Sequence, residues 1–437
     1  MSGVLAVLRR TGVLWWRCWP MLIGIYLLGW LARHWLIELA VVVTVHFGGF
    51  WGMLIMPLAV LARLVTYISM FWVLAAGTGP SEDGGLGTVR QPFVNVVLRS
   101  TLPVFTLFAA WRLILEDYRS YVSQSSFEYL VSDESTGLSA DQLMAYLEPG
   151  DWRLYAIIVV AFLARATLTK FKDRIPSWTR FLTVYFEALW VWLVVQAASK
   201  RLIGSPVWFG QRRVVHWYNT QKDELLARFG VLADGWELLT KTVGLLVPAV
   251  LLAMTWIAIA GAIYAVRSSA TWVEAGHGMF GERHGERLAR GAGQAGDKLT
   301  ARWRRFPVLV QSKGAELFRS LLGILETLAG TIRLVLHSGP LVGSFFVCVF
   351  TLLVLLDPTG AYFNGRVSDG YLWRLVVEVI GPHDWEWWQA YRDTIRAGIN
   401  ACVEPVRITF VAAMYGHCVH ALQGKKENQD IVLNRTI

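Results

Sequence analysis

The sequence predicts an all-α fold: a polytopic α-helical integral membrane protein with about eight transmembrane helices plus interfacial amphipathic helices. Three observations carry this. Of 437 residues, 55% are hydrophobic and 17% charged, against ~25% charged in ordinary soluble domains. Several apolar runs approach the ~20 residues that cross a bilayer. The chain also holds 22 tryptophans, a residue that buries its ring in the headgroup zone and keeps its N–H wet.

The first element, residues 1–19, alternates apolar residues and Trp with Arg9, Arg10 and Arg17, as suits an interfacial helix. It lacks a small-residue cleavage site and reads as retained. Transmembrane helices 1–3 occupy 20–115, at 20–46, 50–76 and 93–115. Gly48 and Gly49 separate the first two. Each carries one arginine in the same string, Leu31-Ala32-Arg33 and Leu61-Ala62-Arg63. A central charge costs about 2.5–3.5 kcal/mol on insertion scales, so something must offset it twice. At similar depth in antiparallel neighbours the two arginines repel, unless Glu38, another carboxylate or a bound anion lies between them. An alternative parsing places a turn at Arg33-His34 and moves Arg33 to the surface.

Glycine-rich 77–92 reads as a loop. It has no Gly-Lys-Ser/Thr ending and so is no phosphate-binding loop. Segment 116–151 sets eight acids against Arg119 alone and reads as an acidic extracytoplasmic loop. Helices 4–6 fall within 152–266, at 152–169, 180–199 and 243–266, with an extracytoplasmic segment at 200–242. Next comes a basic cytoplasmic or interfacial segment, 267–338. In it Arg283, Arg287 and Arg290 share one helical face, as do Lys298, Arg302 and Arg305. Both faces suit contact with an anionic inner leaflet. Residues 315–337 have amphipathic spacing and lie on the membrane rather than across it. Helices 7 and 8, at 340–356 and 399–421, fall within 339–421 and flank an extracytoplasmic segment, 357–398. The tail, 422–437, is polar and cytoplasmic.

Basic segments favour the cytoplasm. With eight spans both termini are cytoplasmic, 116–151 is outside and 267–338 inside. Segment 200–242 resists this scheme, with seven Lys/Arg on the outer side. The excess of Arg over Lys, with frequent Ala, Gly and Trp, points to a high-GC bacterium and so to a bacterial inner membrane. The net charge of +9 flanks apolar runs rather than covering a soluble face, which argues against a nucleic-acid partner.

The intramembrane charges Arg33, Glu38, Arg63, Glu187, Glu404 and Arg407 are the candidate polar or anion-binding residues. Arg99, Arg112 and Arg165, near span ends, read as snorkelling to headgroups. Pro405 frees a backbone carbonyl beside Glu404. His34 and Glu38, at i and i+4, are placed to hydrogen-bond. His417-Cys418-x-His420 lacks a third ligand, so no metal site is expected. No other cofactor is expected either. Cys18, Cys348, Cys402 and Cys418 lie in or beside spans without zinc spacing or a disulfide framework, and read as reduced and buried.

No nucleophile motif, Walker motif or dinucleotide fingerprint is present. Glu116-Asp117 is the one acidic pair at a span edge, and adjacent helical residues diverge by about 100°. The expected function is therefore a non-enzymatic membrane subunit of an envelope or transport assembly. It would bind an anionic lipid or amphiphile and contact membrane lipids and other membrane or cytoplasmic subunits. The alternatives are a secondary transporter or exporter, and a membrane transferase acting on a lipid-linked substrate.

Overall fold

A computed structural model describes residues 2–77, 92–110, 114–131, 152–171, 176, 179–198, 230–264, 330–357 and 370–436. Within them the chain is helical throughout and forms no strand. The helices are α1 (Ser2–Phe47), α2 (Gly49–Gly77), α3 (Phe93–Ala110), α4 (Ile114–Val131), α5 (Trp152–Lys170), α6 (Thr179–Ala198) and α7 (Gly230–Tyr264). They continue with α8 (Gly330–His337), α9 (Pro340–Leu356), α10 (Tyr371–Ile380) and α11 (Trp385–Thr436).

Three of these helices contain stretches long and apolar enough to cross a membrane: Gly3–Phe47, Gly49–Ala75 and Ala390–Leu422. The pair α8 and α9, bent by 116°, makes a fourth if taken as one span. Sequence-expected spans at 93–115, 152–169, 180–199 and 243–266 coincide with helices wherever residues are described. The 93–115 stretch is divided between α3 and α4.

The α1–α2 hairpin organises the bundle. It turns at Gly48, whose φ of +95° suits glycine best. The hairpin packs closely because Gly29 faces Thr66, where a Cβ would overlap the threonine side chain. Gly52 is likewise pressed against Thr44, the Ala40 carbonyl and the Tyr121 hydroxyl. Small residues let helix backbones approach in this way. Helix α2 is apolar over most of its surface and fills the core with fully buried Met56, Val60, Leu64, Ile68 and Phe71.

The outer face of α1 is a long apolar stripe that includes Trp16, Leu28, Trp35 and Phe47, all at least 66% exposed. At 1.5 Å per residue α1 is about 69 Å long, over twice the ~30 Å of a hydrocarbon core. Residues 2–19, expected as an interfacial segment, are continuous with the first expected span in one helix. The helix passes through Pro20 without ending, and its first turns bury Val7 and Leu14. Gly3 stands beside Val342 and His417, and Arg10 covers Gly416. Helix α11 thus runs antiparallel to α1, and the start of α1 lies at the same end of the bundle as residues 416–417.

Two further boundaries change. The expected eighth span, 399–421, is the middle of α11. That helix begins inside the expected external segment 357–398 and continues through most of the tail to Thr436. Helix α7 likewise begins at Gly230, inside the expected 200–242 segment.

Candidate functional site

Arg63 is the middle residue of α2, which spans Gly49–Gly77. Arg33 lies at nearly the same distance from Gly48 on α1, so the hairpin sets the two arginines side by side. The alternative parsing is wrong: Arg33 and His34 are inside a continuous helix. The charge between the arginines comes from α4, with Glu116 and Asp117 in its first turn.

Asp117 is 1% exposed. Its Oδ1 accepts from Arg33 Nε at 2.7 Å and from Arg63 Nη1 at 3.1 Å. Arg63 Nη2 donates to Glu116 Oε2 at 2.9 Å. Glu116 and Asp117 are therefore turned into the bundle, not outward on an acidic external loop. The fork of Arg63 spans their divergence by offering one nitrogen to each. Further along α4, Tyr121 pins the helix to the hairpin, with its hydroxyl 2.5 Å from Thr44 Oγ1. Residues 132–151 lie outside the described residues.

The quartet opens onto a half-open cleft between α1, α2, α4 and α11, with a cavity volume of about 120 Å³. From α1 come Tyr26, Trp30, Arg33 and His34; from α2, Arg63, Thr66 and Tyr67. Glu116, Ser120 and Gln124 line it from α4, one turn apart along one face. Asp393, Arg396, Asn400 and Glu404 do the same from α11. The formal charges of the lining balance, with Arg33, Arg63 and Arg396 against Glu116, Asp393 and Glu404.

Behind the cleft, Glu404 pairs with Arg407 one turn on; both are at most 2% exposed. The Arg407 guanidinium sits 5.3 Å from the Trp256 ring centre. Tyr67, Phe108 and Trp256 pack edge to face or tilted around it, with centroids 5.1–6.1 Å apart. That cation–π contact and the carboxylate together hold the buried arginine. Three acceptor atoms of the lining are buried without a hydrogen-bond partner: Glu404 Oε2, Asn400 Oδ1 and Gln124 Oε1. Buried polar atoms of native proteins are nearly always paired.

The structure thus brings together Arg33, Arg63 and Glu404, with Arg407 directly behind. It does not bring in Glu38 or Glu187. Glu38 is half-buried outside the cleft and forms no ion pair with a described residue. His34 stacks on Trp30, with centroids 5.2 Å apart, rather than bonding to Glu38. Glu187 pairs with Arg165 at 2.7 Å across α5 and α6, so Arg165 is ion-paired rather than simply snorkelling. Arg99 reaches the Ile263 carbonyl at 3.5 Å. Arg112 lies outside the described residues. So do Arg283, Arg287, Arg290, Lys298, Arg302 and Arg305, the expected inner-leaflet contacts.

Cys18 and Cys418 are buried, but Cys348 and Cys402 are exposed on the bundle surface, against expectation; all four are free. Among the described residues no three His, Cys, Asp or Glu side chains gather as a metal site.

Sequence reasoning missed Ser120, Gln124, Asp393, Arg396 and Asn400. The signal for α11 was present: 393, 396, 400, 404 and 407 are spaced by three and four, a polar stripe on one helix face. Comparison with family models, curated proteins and solved structures finds no match to this chain.

Proposed function

We propose that the chain is a multi-pass protein of a bacterial plasma membrane, with both termini cytoplasmic. It acts without chemistry, by binding the polar head of an amphiphile as a membrane subunit of an envelope or transport assembly. The observation that carries this reading is the polar cleft halfway along α2, a strongly apolar helix in the core of the bundle. A polar cavity at that depth is costly unless it is used. The apolar stripe on α1 supports the membrane setting, because an exposed patch of that length is a liability in water. Glu116 and Asp117 are both held by arginines, which suits fixed charge better than proton transfer.

Lipid mass spectrometry after purification in mild detergent tests the reading. The wild type is expected to retain a bound amphiphile and to bring down stoichiometric protein partners. Ser120→Trp, which fills the cleft from α4, is expected to lose the amphiphile while remaining folded. Equal lipid recovery from both proteins overturns the assignment of the cleft.

A second reading, secondary transport, is favoured by one feature. Glu116 and Asp117 meet Arg33 and Arg63 halfway along the α1–α2 hairpin, and the binding sites of secondary transporters lie near the midplane between helices. Substrate uptake by proteoliposomes containing only this protein would favour it over the subunit reading.

A further inference from the structure

The buried side-chain atoms of the cleft lining that have no hydrogen-bond partner are all acceptors, and the formal charges of the lining already cancel. From these two facts we infer that the cleft takes a head group carrying a primary ammonium next to an anion, that is, a zwitterion. This inference rests on the amphiphile reading above and narrows its ligand.

Asn400 and Glu404 are one turn apart on the same face of α11, so a single group can reach both. Asn400 Oδ1 and Glu404 Oε2 are buried acceptors without a hydrogen-bond partner. Glu404 is 2% exposed, and its other oxygen is engaged by Arg407. An ammonium supplies up to three N–H donors and a positive charge, which matches a buried amide oxygen beside a carboxylate oxygen. A phosphate or carboxylate alone supplies acceptors and leaves both atoms as they are.

The anionic half of the ligand has partners in the same cleft, where Arg33 and Arg396 form part of the lining. Arg33 and Arg63 are already matched by Asp117 and Glu116. A net anion therefore meets a neutral site and loses its hydration for little Coulombic return. A zwitterion aligned between Arg396 and Glu404 leaves the site neutral. The same chemistry is offered by an aminophospholipid head group and by a free aminoalkyl phosphate.

The test uses the full chain in phosphatidylglycerol nanodiscs. Acyl-labelled phosphatidylethanolamine, phosphatidylcholine and phosphatidylglycerol serve as lipid probes, and phosphoethanolamine as the soluble one. Phosphatidylethanolamine should bind at least about tenfold more tightly than phosphatidylcholine, whose nitrogen has no N–H, and than phosphatidylglycerol. Asn400→Leu and Glu404→Gln should each remove about tenfold of that binding. Asn400→Leu keeps the Glu404–Arg407 pair intact and decides the matter if Glu404→Gln does not fold.

Equal binding of phosphatidylethanolamine and phosphatidylcholine, or a preference for phosphatidylglycerol, overturns the ammonium inference and leaves the amphiphile reading standing. Binding of phosphoethanolamine without any lipid probe does the reverse. No binding of either kind overturns both.

Discussion

Asp117 is a shared electrostatic partner, since one of its carboxylate oxygens accepts from two arginines. It is almost wholly buried, so water cannot replace it. Asp117→Asn leaves Arg33 and Arg63 with only Glu116 between them. Breaking a buried pair from one side costs about 3–5 kcal/mol, and thermal unfolding in detergent should register a loss of that order. Glu116 is 28% exposed, and its partner is shared with Asp117, so Glu116→Gln should cost clearly less. Equal stability of Asp117→Asn and wild type would show that the quartet does not hold the helices together. Asp357, just past the end of α9, gives a second test. Burial first, and then the nearby Glu404 and Glu116 charges, push its carboxyl up to about 6, against the opposing pull of Arg407 and Arg396. A carboxyl held protonated in the fold stabilises it fully below the unfolded pKa near 4 and loses that effect as pH rises through 6. Asp357→Asn should therefore gain stability relative to wild type as pH climbs from about 4 to about 6, with no further change above. A difference that stays flat across this range would contradict the assignment.

At the scale of helices, Gly29 is a point of close approach in the α1–α2 contact. Gly29→Ala drives a methyl into Thr66 and should separate the helices next to the quartet. Overpacking of this kind typically costs about 1–3 kcal/mol. Adding Thr66→Ala should return most of that loss, a coupling that a double-mutant cycle of unfolding midpoints reads directly. Additivity of the two changes would mean that the helices part freely. The hairpin itself is legible in the sequence: two apolar runs, a Gly-Gly break, and two arginines almost equally far from it. The partner of those arginines is not. Helix α4 is polar on average, and nothing local distinguishes a polar helix inside a bundle from a polar loop outside it. Its Glu116 acquires meaning only opposite Arg63, and its Ser120 and Gln124 only across the cleft from Asp393, Arg396 and Asn400, more than 250 residues away. The α11 stripe is periodic, but a boundary drawn at 399 divides it between a loop and a span.

At the scale of the whole molecule, the pairing of α1 with α11 closes the bundle, because it joins the two ends of the chain along much of both helices. The cleft depends on this pairing, since α1 and α11 supply two of its four walls. The contact that reports it best lies far from the cleft, where a Cβ at Gly3 would stand 3.5 Å from His417 Nε2. In a protein with Cys18, Cys348, Cys402 and Cys418 replaced by serine, Gly3→Cys and His417→Cys should join through a short bis-maleimide in native membranes. A protease site placed in 267–313 would reveal the link as two fragments that migrate together until the linker is cut. Control pairs at Gly24 and His417 should not join, being about 30 Å apart along α1 at 1.5 Å per residue. If Gly3 fails to link while the protein still binds lipid, residues 1–19 lie apart from α11 as a free helix, and the cleft keeps its α1 wall, which is built from residues 26–37. If the link forms and binding persists, the long antiparallel pair is the frame on which the cleft is built, and the N- and C-terminal parts of the chain face the same side of the membrane.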